Sequence, residues 1–338
     1  MPPDVSIAIV AYRSRHYLPG CVQGLAAQTH RNFEAIIVVN GETDDSVDGL
    51  ELPDDRFKIV RMSENVGFAP ANNHAAQMSS GKWLALLNPD AVPKPTWLAE
   101  LLAATERWPG AASFGSTQLC LEDPTMLDGV GDVWHLSGLA WRARNGWPAA
   151  DIPLEGEVFG PCAAAALYDR EVFLALGGFD ESYFCYCEDV DIAFRLRIAG
   201  YTSVQVPSAV VLHAGSAISG RKSEFSQYHG HRNRVWTYVK DTPGPWVFLL
   251  LPLHIAANIL VLAKATIDGT GRAVARSYVS AVRDLPRILR ARRQVQATRT
   301  VPSKKILAAM AWGISAPFTR ELQVGWHTPA AQRTNAQD

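Results

Sequence analysis

Cysteine is scarce in this sequence: there are five in 338 residues, Cys21, Cys120, Cys162, Cys185 and Cys187. An odd number at irregular spacing excludes a disulfide framework and points to a reducing, cytosolic compartment. Cys185-Tyr-Cys187 offers two thiols to a metal, but small apolar residues alternating along a buried strand are the commoner meaning of that pattern. A secretory leader is also missing, because Met1-Pro2-Pro3-Asp4 carries no basic n-region and runs straight into a β-branched segment. Net charge is almost absent, at -1. That balance hides an asymmetry: Arg272 to Lys305 holds ten Lys or Arg against the single acid Asp284, so the rest of the chain is acidic. A basic tail on an acidic body points to phosphate, in lipid or nucleic acid. Disorder-prone composition is lacking too. With 48% apolar residues and a length beyond one ordinary domain, a large domain plus an appendage is expected.

What is present is an alternation of strand-like and helix-like segments. Val5-Ser-Ile-Ala-Ile-Val10, Phe33 to Val39, Phe57 to Met62 and Trp83 to Leu87 read as short buried strands. Tyr17 to Gln28 and Ala69 to Met78 fit helices between them. Such alternation implies an α/β fold with a mostly parallel sheet covered on both faces. Ligands bind such sheets beyond the carboxyl ends of the strands. That places Ala11-Tyr-Arg13, Asn40 to Asp45 and Asn88-Pro-Asp90 at the site. A dinucleotide-binding dehydrogenase is excluded, because the first strand exits into Ala11-Tyr-Arg-Ser-Arg15 with no glycine before Gly20.

Several motifs stand in one order along the chain: Val10-Ala-Tyr-Arg-Ser14, Thr43-Asp-Asp-Ser46, Glu64-Asn-Val-Gly-Phe68 with Asn72-Asn73, and Leu87-Asn-Pro-Asp-Ala91. Gly177-Gly-Phe-Asp-Glu181, Phe184 to Gly200 with Glu188-Asp-Val-Asp191 and Arg195-Leu-Arg197, then His213 and His231-Arg-Asn-Arg234 complete them. Together they resemble the family-2 inverting glycosyltransferases with the GT-A fold, especially their rhamnosyltransferase-like branch. The resemblance implies a GT-A domain over residues 1–240 with a Rossmann-like nucleotide-binding half, followed by a helical, basic, membrane-associating region over 241–338. It implies inverting transfer of a sugar, best matched by L-rhamnose from dTDP-rhamnose, from a nucleotide-diphosphate donor to a hydroxyl of a glycan or polyprenyl-lipid-linked acceptor, in cell-wall polysaccharide biosynthesis. The nucleotide-sugar contacts carried over are Ala11, Tyr12, Arg13, Asn40, Glu42, Asn65, Gly67, Asn72 and Asn88; those to the acceptor are Asp191 and Arg234. One departure stands out. The family usually reads Val-Asp-Asn-x-Ser-Thr-Asp after the second strand, its Asp holding the base. Here Val39 leads into Asn40-Gly-Glu-Thr43, one residue shorter, leaving Asn40 or Glu42 for that role.

The chemistry sets its own requirements. Breaking a bond to a diphosphate develops negative charge that a divalent cation stabilises. Mg²⁺ or Mn²⁺ is held by one or two carboxylates plus the substrate's phosphates. Asp90, at the end of the fourth strand, is the candidate ligand, and the resemblance makes it the last acid of a DXD-type motif whose first position is Asn88. His213 follows the apolar run Val206 to Leu212, and the resemblance makes it the second metal ligand; an imidazole suits Mn²⁺ better than Mg²⁺. The acceptor hydroxyl needs a base. Adjacent side chains on a helix point different ways, so Glu188 and Asp189 cannot act on one proton. The resemblance assigns the base to Asp189. Glu188 and Asp191 then orient the acceptor, or Asp191 pairs with Arg195 four residues on.

The tail joins two features. Thr242 to Ala263 carries no formal charge but is interrupted by Pro243, Pro245 and Pro252, which favours a kinked interfacial segment or a shallow re-entry over a span. Downstream, Tyr278, Val282, Leu285 and Leu289 fall on one helical stripe and Arg276, Arg283, Arg287 and Arg290 on another, with Pro286 allowing two shorter helices. An anionic membrane surface is the expected partner, on the cytoplasmic side of the cell membrane, and not nucleic acid. Two other readings stay open: an inactive glycosyltransferase-like scaffold, and a sugar nucleotidyltransferase, for which Arg13 and Arg15 are the only hints of a basic phosphate loop.

Overall fold

A computed structural model describes residues 2–215 and 223–322. The chain begins β1 (Val5–Ala11), α1 (Leu18–Ala26), β2 (Phe33–Val39), β3 (Phe57–Arg61), α2 (Phe68–Met78), β4 (Trp83–Leu87), β5 (Ala91–Pro93) and α3 (Trp97–Arg107). It continues through β6 (Ala111–Cys120), β7 (Leu127–Gly129), β8 (Asp132–Trp134), β9 (Ala140–Arg142), β10 (Gly156–Val158) and β11 (Ala165–Asp169). Then come α4 (Arg170–Ala175), α5 (Glu188–Ile198), β12 (Thr202–His213) and α6 (Glu224–Asp241). The main sheet has the order β10-β12-β6-β11-β4-β1-β2-β3. β1 to β4 are parallel, as is the β6–β12 pair, while β11 runs antiparallel between β4 and β6.

The two apolar strands explain the layering. Every residue of β1 and β2 is buried, so both sheet faces need cover. Ile7, Ile9, Ala35 and Ile37 pack against α1 and α3 through Leu18, Val22, Trp97 and Leu101. Ala8, Val10, Ile36 and Val38 turn to the other face, against α2 and α5. Strands β1, β2 and β4 therefore end on one edge of the sheet, where the site lies.

Behind the site is a buried ion network. Asp191, on α5, is fully buried and accepts bonds from Arg195 Nε at 2.8 Å and Nη2 at 2.6 Å. Lys240, near the end of α6, pairs with Asp191 and with Asp180. Asp191 thus takes the pairing option and does not face an acceptor, which corrects its assignment as an acceptor contact.

The tail folds back onto the body. After α7 (Trp246–Leu249) and α8 (Leu251–Ile267), α9 (Gly271–Arg283) and α10 (Leu285–Ala297) pack on α6. Arg292 donates to the carbonyls of Val239, Thr242 and Gly244, satisfying acceptors at the C-terminal end of α6. His254 of α8 stacks on Tyr238 at 3.7 Å. Pro286 in the first turn of α10 makes two short helices of the basic strip. The apolar stripe is not the expected one: Ala273, Val274, Ser277 and Ala281 of α9 and Ile288 of α10 face inward, while Val282 is left exposed. Packing on α6, with its small contact residues, overrides the choice made from side-chain size. No helix among the described residues is long and apolar enough to cross a membrane.

The ion network yields the first prediction. Burial opposes ionisation of Asp191, but Arg195 and Lys240 outweigh it and hold the carboxyl lowered to about 2, from 3.8. Removing one partner of such a pair costs about 3–5 kcal/mol. In chemical denaturation at neutral pH, Asp191→Ala should lose stability on that scale. Because the folded value is the lower one, the stabilisation is complete above 3.8 and lost as pH falls toward about 2, so the gap between variant and wild type should close in acid.

Candidate active site

The carboxyl ends of β1, β2 and β4, the β5 turn and the start of α5 enclose a cavity of about 600 Å³, within the range of small-ligand sites. One wall is built by strand pairing. β5 pairs antiparallel with β12 in the register His213↔Ala91, which sets Asp90 beside His213. His213 Nε2 lies 3.3 Å from Asp90 Oδ1, and Asn88 Nδ2 is 3.5 Å from the same nitrogen. Nδ1 of His213 faces Asp128 Oδ2 at 2.7 Å, and Arg142 pairs with Asp128 from the other side.

That geometry leaves something to be supplied. With Nδ1–H donating to Asp128, the Nε2 lone pair faces a carboxylate oxygen, with the Asn88 amide nitrogen at the edge of hydrogen-bond reach. Asp90 Oδ1 and Asn88 Oδ1 are buried with no hydrogen-bond partner. Two acceptors face to face are satisfied by a proton on Nε2 or by a cation between them. Burial works against protonating His213, yet the bond to Asp128 and the adjacent Asp90 carboxylate outweigh it and raise its pKa. A carboxylate behind a ligating imidazole is the usual support of such a ligand. The donor set of carboxylate, imidazole and amide oxygen fits a divalent cation.

The facing wall is the Glu188-Asp189 pair. It follows a turn in which Phe184, Tyr186 and Cys187 all take positive φ, at 64°, 74° and 66°. Left-handed backbone in non-glycine residues persists only where surroundings impose it. Here Nδ2 of Asn233, on α6, lies 3.0, 2.9 and 2.8 Å from the carbonyls of Tyr183, Cys185 and Tyr186. The Phe184 carbonyl accepts from Phe68 and Ala69 N–H at 2.7 and 3.2 Å, satisfying the start of α2. Cys185 and Cys187 therefore belong to this turn and not to a strand. Burial raises both thiols, with nearby Glu188 and Asp189 adding to it. Glu188 is itself buried, and burial plus the neighbouring Asp189 push its pKa well up, which disfavours the ionised form that a base needs.

Of the residues singled out in the sequence, Tyr12, Arg13, Asn40, Asn65, Gly67, Asn88, Asp90, Glu188, Asp189 and His213 line the cavity. Asn40 does so with its amide committed: Nδ2 donates to Asn65 Oδ1 and Gly67 O, while Oδ1 accepts from Val66 N–H. Ala11, Glu42, Asn72 and Arg234 are not in the wall. Ala11 is buried within β1, and Glu42 is exposed on the loop after β2. Asn72 donates to Phe68 O inside α2. Arg234 donates to Asn258 Oδ1 at 2.6 Å, tying α6 to α8. In the His231 to Arg234 motif, Asn233 is the residue that serves the site. Sequence reasoning also missed Asp128, Arg142 and Cys162. Asp128 had one signal, the run of acids and glycines Asp128-Gly-Val-Gly-Asp132 outside every motif, and Arg142 and Cys162 had none.

Gly67 tests how tightly the turn is held. Its φ of 96° and ψ of 173° lie in a region essentially confined to glycine, and an added Cβ would sit 2.6 Å from the Phe184 ring and carbonyl. Gly67→Ala should cost on the order of 1–3 kcal/mol in a denaturant melt. It should also weaken nucleoside-diphosphate binding in calorimetry, because the wall from Phe184 to Asp189 must shift.

Known proteins agree with this architecture. Residues 6–177 match the family described as Glycosyl transferase family 2. An N-acetylglucosaminyl-diphospho-decaprenol L-rhamnosyltransferase of Mycobacterium tuberculosis is 29% identical over 275 residues, covering 73% of this chain and 87% of the relative. The O-antigen biosynthesis protein RfbC of Myxococcus xanthus is 31% identical over 227 residues, 64% of this chain and 18% of that protein. Among solved structures, GalNAc-T7 with UDP, GalNAc and Mn²⁺ aligns at TM-score 0.58 and 17% identity, over 71% of this chain and 48% of the other. A mannosyltransferase from Pyrobaculum calidifontis with GDP-Man and Mn²⁺ aligns at TM-score 0.51 and 18% identity, over 91% and 86%. With the family matched across half its length and the GT-A fold shared with these structures, the chain belongs to glycosyl transferase family 2 and is a glycosyltransferase.

Proposed function

We propose that the enzyme transfers a sugar with inversion from a nucleotide-diphosphate donor to a hydroxyl of a polyprenyl-diphosphate-linked acceptor. L-rhamnose from dTDP-rhamnose and an N-acetylglucosamine-bearing acceptor are the best match, on the support of the mycobacterial relative's activity. The observation that carries the reading is one cavity walled by the unmet acceptors of Asp90 and Asn88, with His213 beside them, and also by Asp189. Asp90 and His213 would hold a divalent cation, Mg²⁺ or Mn²⁺, which when bound offsets the charge developing on the leaving diphosphate. Asp189 takes the proton of the attacking hydroxyl. Its carboxylate is oriented by Val190 N–H at 2.9 Å and Ala163 N–H at 3.3 Å, and it sits in the first turn of α5, where the helix dipole favours negative charge. A nucleotidyltransferase draws no support from Arg15, which pairs with Asp45 outside the cavity lining and leaves Arg13 without a basic loop around it.

Two variants test the assignment together. Asp189→Asn keeps shape and hydrogen bonding but not basicity, so turnover should fall by about 10²–10⁴ while donor binding survives. Asp90→Ala should abolish the difference between nucleoside-diphosphate affinity in Mn²⁺ and in EDTA, measured by calorimetry. Metal-independent affinity in the wild type would remove Asp90 from this role.

The region from residue 241 onward is the part proposed to reach the membrane. Packing on α6 leaves Phe248 of α7, Leu260 of α8 and Val279 of α9 exposed by 74%, 71% and 71%, with Ile255 and Ile259 beside them. Arg276 and Arg283 stand on the same helix as Val279 and are also exposed. An apolar face edged by arginines matches an anionic bilayer surface, each basic residue contributing about 1 kcal/mol at low salt. The full-length protein should float with liposomes containing anionic lipid, less so at high salt, and Phe248→Ser with Leu260→Ser should reduce flotation without lowering the melting temperature. Absence of flotation at every lipid composition would assign this face to self-association instead.

A further inference from the structure

The segment that supplies Asp128 and Arg142 brings a third residue to the site. Asp132 opens β8, pairs across the hairpin with Arg142, and is fixed by its own N–H donating to Gly160 O at 2.8 Å. It is 7% exposed and lies outside the cavity lining. Its carboxyl, the Asp189 carboxyl and Cys162 Sγ have ligand atoms all within 4.8 Å of one another. A second metal is one reading of three such groups. Against it, Arg142 already places a positive charge on the cluster, and burial, with Asp132 and Asp189 adding to it, pushes the Cys162 thiol up to about 12 despite that charge. A protonated thiol beside a guanidinium is a poor cation site.

The remaining reading is a carboxyl pair. Around it stand Arg142 from β9, Cys162 from the segment before β11, Tyr168 on β11, and Cys187 and Glu188 at the start of α5. Arg142 is the one cation among these groups, and of two carboxyls so close, one of them buried, the buried one is the harder to ionise. Burial, then the adjacent Asp189, raise the Asp132 pKa well above the ordinary carboxyl value, and Arg142 only partly opposes them.

We propose that Asp132 is a positioning residue for the base: it keeps a proton and donates it as a hydrogen bond to Asp189 from behind the cavity wall, holding that carboxylate ionised and turned toward the acceptor. The inference rests on the reading of Asp189 as the base. In the transfer, the acceptor's O–H proton goes to Asp189 and its oxygen bonds to the anomeric carbon. The bond from that carbon to the diphosphate breaks, with its electron pair leaving on phosphate. Asp132 retains its own proton throughout.

Two variants separate this role from simple packing. Asp132→Asn keeps a donor that cannot titrate; Asp132→Leu removes the donor. With dTDP-rhamnose and a polyprenyl-diphospho-N-acetylglucosamine acceptor, Asp132→Asn should keep kcat/KM within about threefold of wild type. Asp132→Leu should move the acid limb of the pH profile up by about one unit. Thermal melts of the ligand-free full chain give a reading independent of catalysis. A carboxyl whose folded pKa is raised stabilises the fold at low pH, and that contribution is lost as pH rises through the folded value. Wild type should therefore lose melting temperature relative to Asp132→Asn on the alkaline side. Parallel melting curves would overturn the proposal, and so would an Asp132→Asn enzyme that melts normally but is slowed about 100-fold or more. Full activity of Asp189→Asn in the same assay would instead remove the base reading, an outcome the melts do not depend on.

Discussion

The catalytic end of this protein depends on a turn that its own residues do not favour. Phe184, Tyr186 and Cys187 are held left-handed by three carbonyls converging on Asn233 and by the N-terminus of α2 bonding to Phe184 O. Release of that turn would carry Glu188 and Asp189 away from the cavity, since they follow it directly into α5. Gly67 must lack a side chain for the same reason. The buried network of Asp191, Arg195 and Lys240 then fixes α5 to α6, so the helix that presents Asp189 and the helix that staples the turn move as one.

The second half of the site comes from the stretch between β6 and β11. β7 lies against the end of β6, next to the end of β12, and so puts Asp128 behind His213. Arg142 stands between Asp128 on the His213 side and Asp132 on the Asp189 side. One guanidinium thus balances acids serving two different tasks. This links the two walls of the cavity by charge as well as by backbone.

Much of this was legible in the sequence, for identifiable reasons. The strands at 5, 33, 57 and 83 announced themselves because parallel strands buried on both faces leave little choice but β-branched and apolar residues. Asp90 was placed at the cavity by its position just after β4, while His213 and Asp189 were named through the family resemblance; all three line the cavity. The pairing of Asn72-Asn73 with Gly177-Gly-Phe179 was visible only as two motifs. Their reason is the reciprocal bonding of Asn73 with Phe179 at 2.9 and 2.8 Å, across the fold. What stayed hidden depends on distant partners. Asp191 and Arg234 were carried over as acceptor contacts from the motifs they stand in, yet Asp191 pairs with Arg195 and Lys240 and Arg234 bonds to Asn258. Asp128, Asp132 and Arg142 sit on three-residue strands too short to give any periodicity.

In the proposed direct displacement the acceptor oxygen, its proton taken by Asp189, attacks the anomeric carbon from the side opposite the diphosphate. The configuration of the transferred sugar reports that geometry without reference to any variant. NMR of the product formed by the full-length enzyme should show the anomeric configuration inverted relative to the donor. Retention would require a second displacement for which Asp189 alone is insufficient, and would contradict the account.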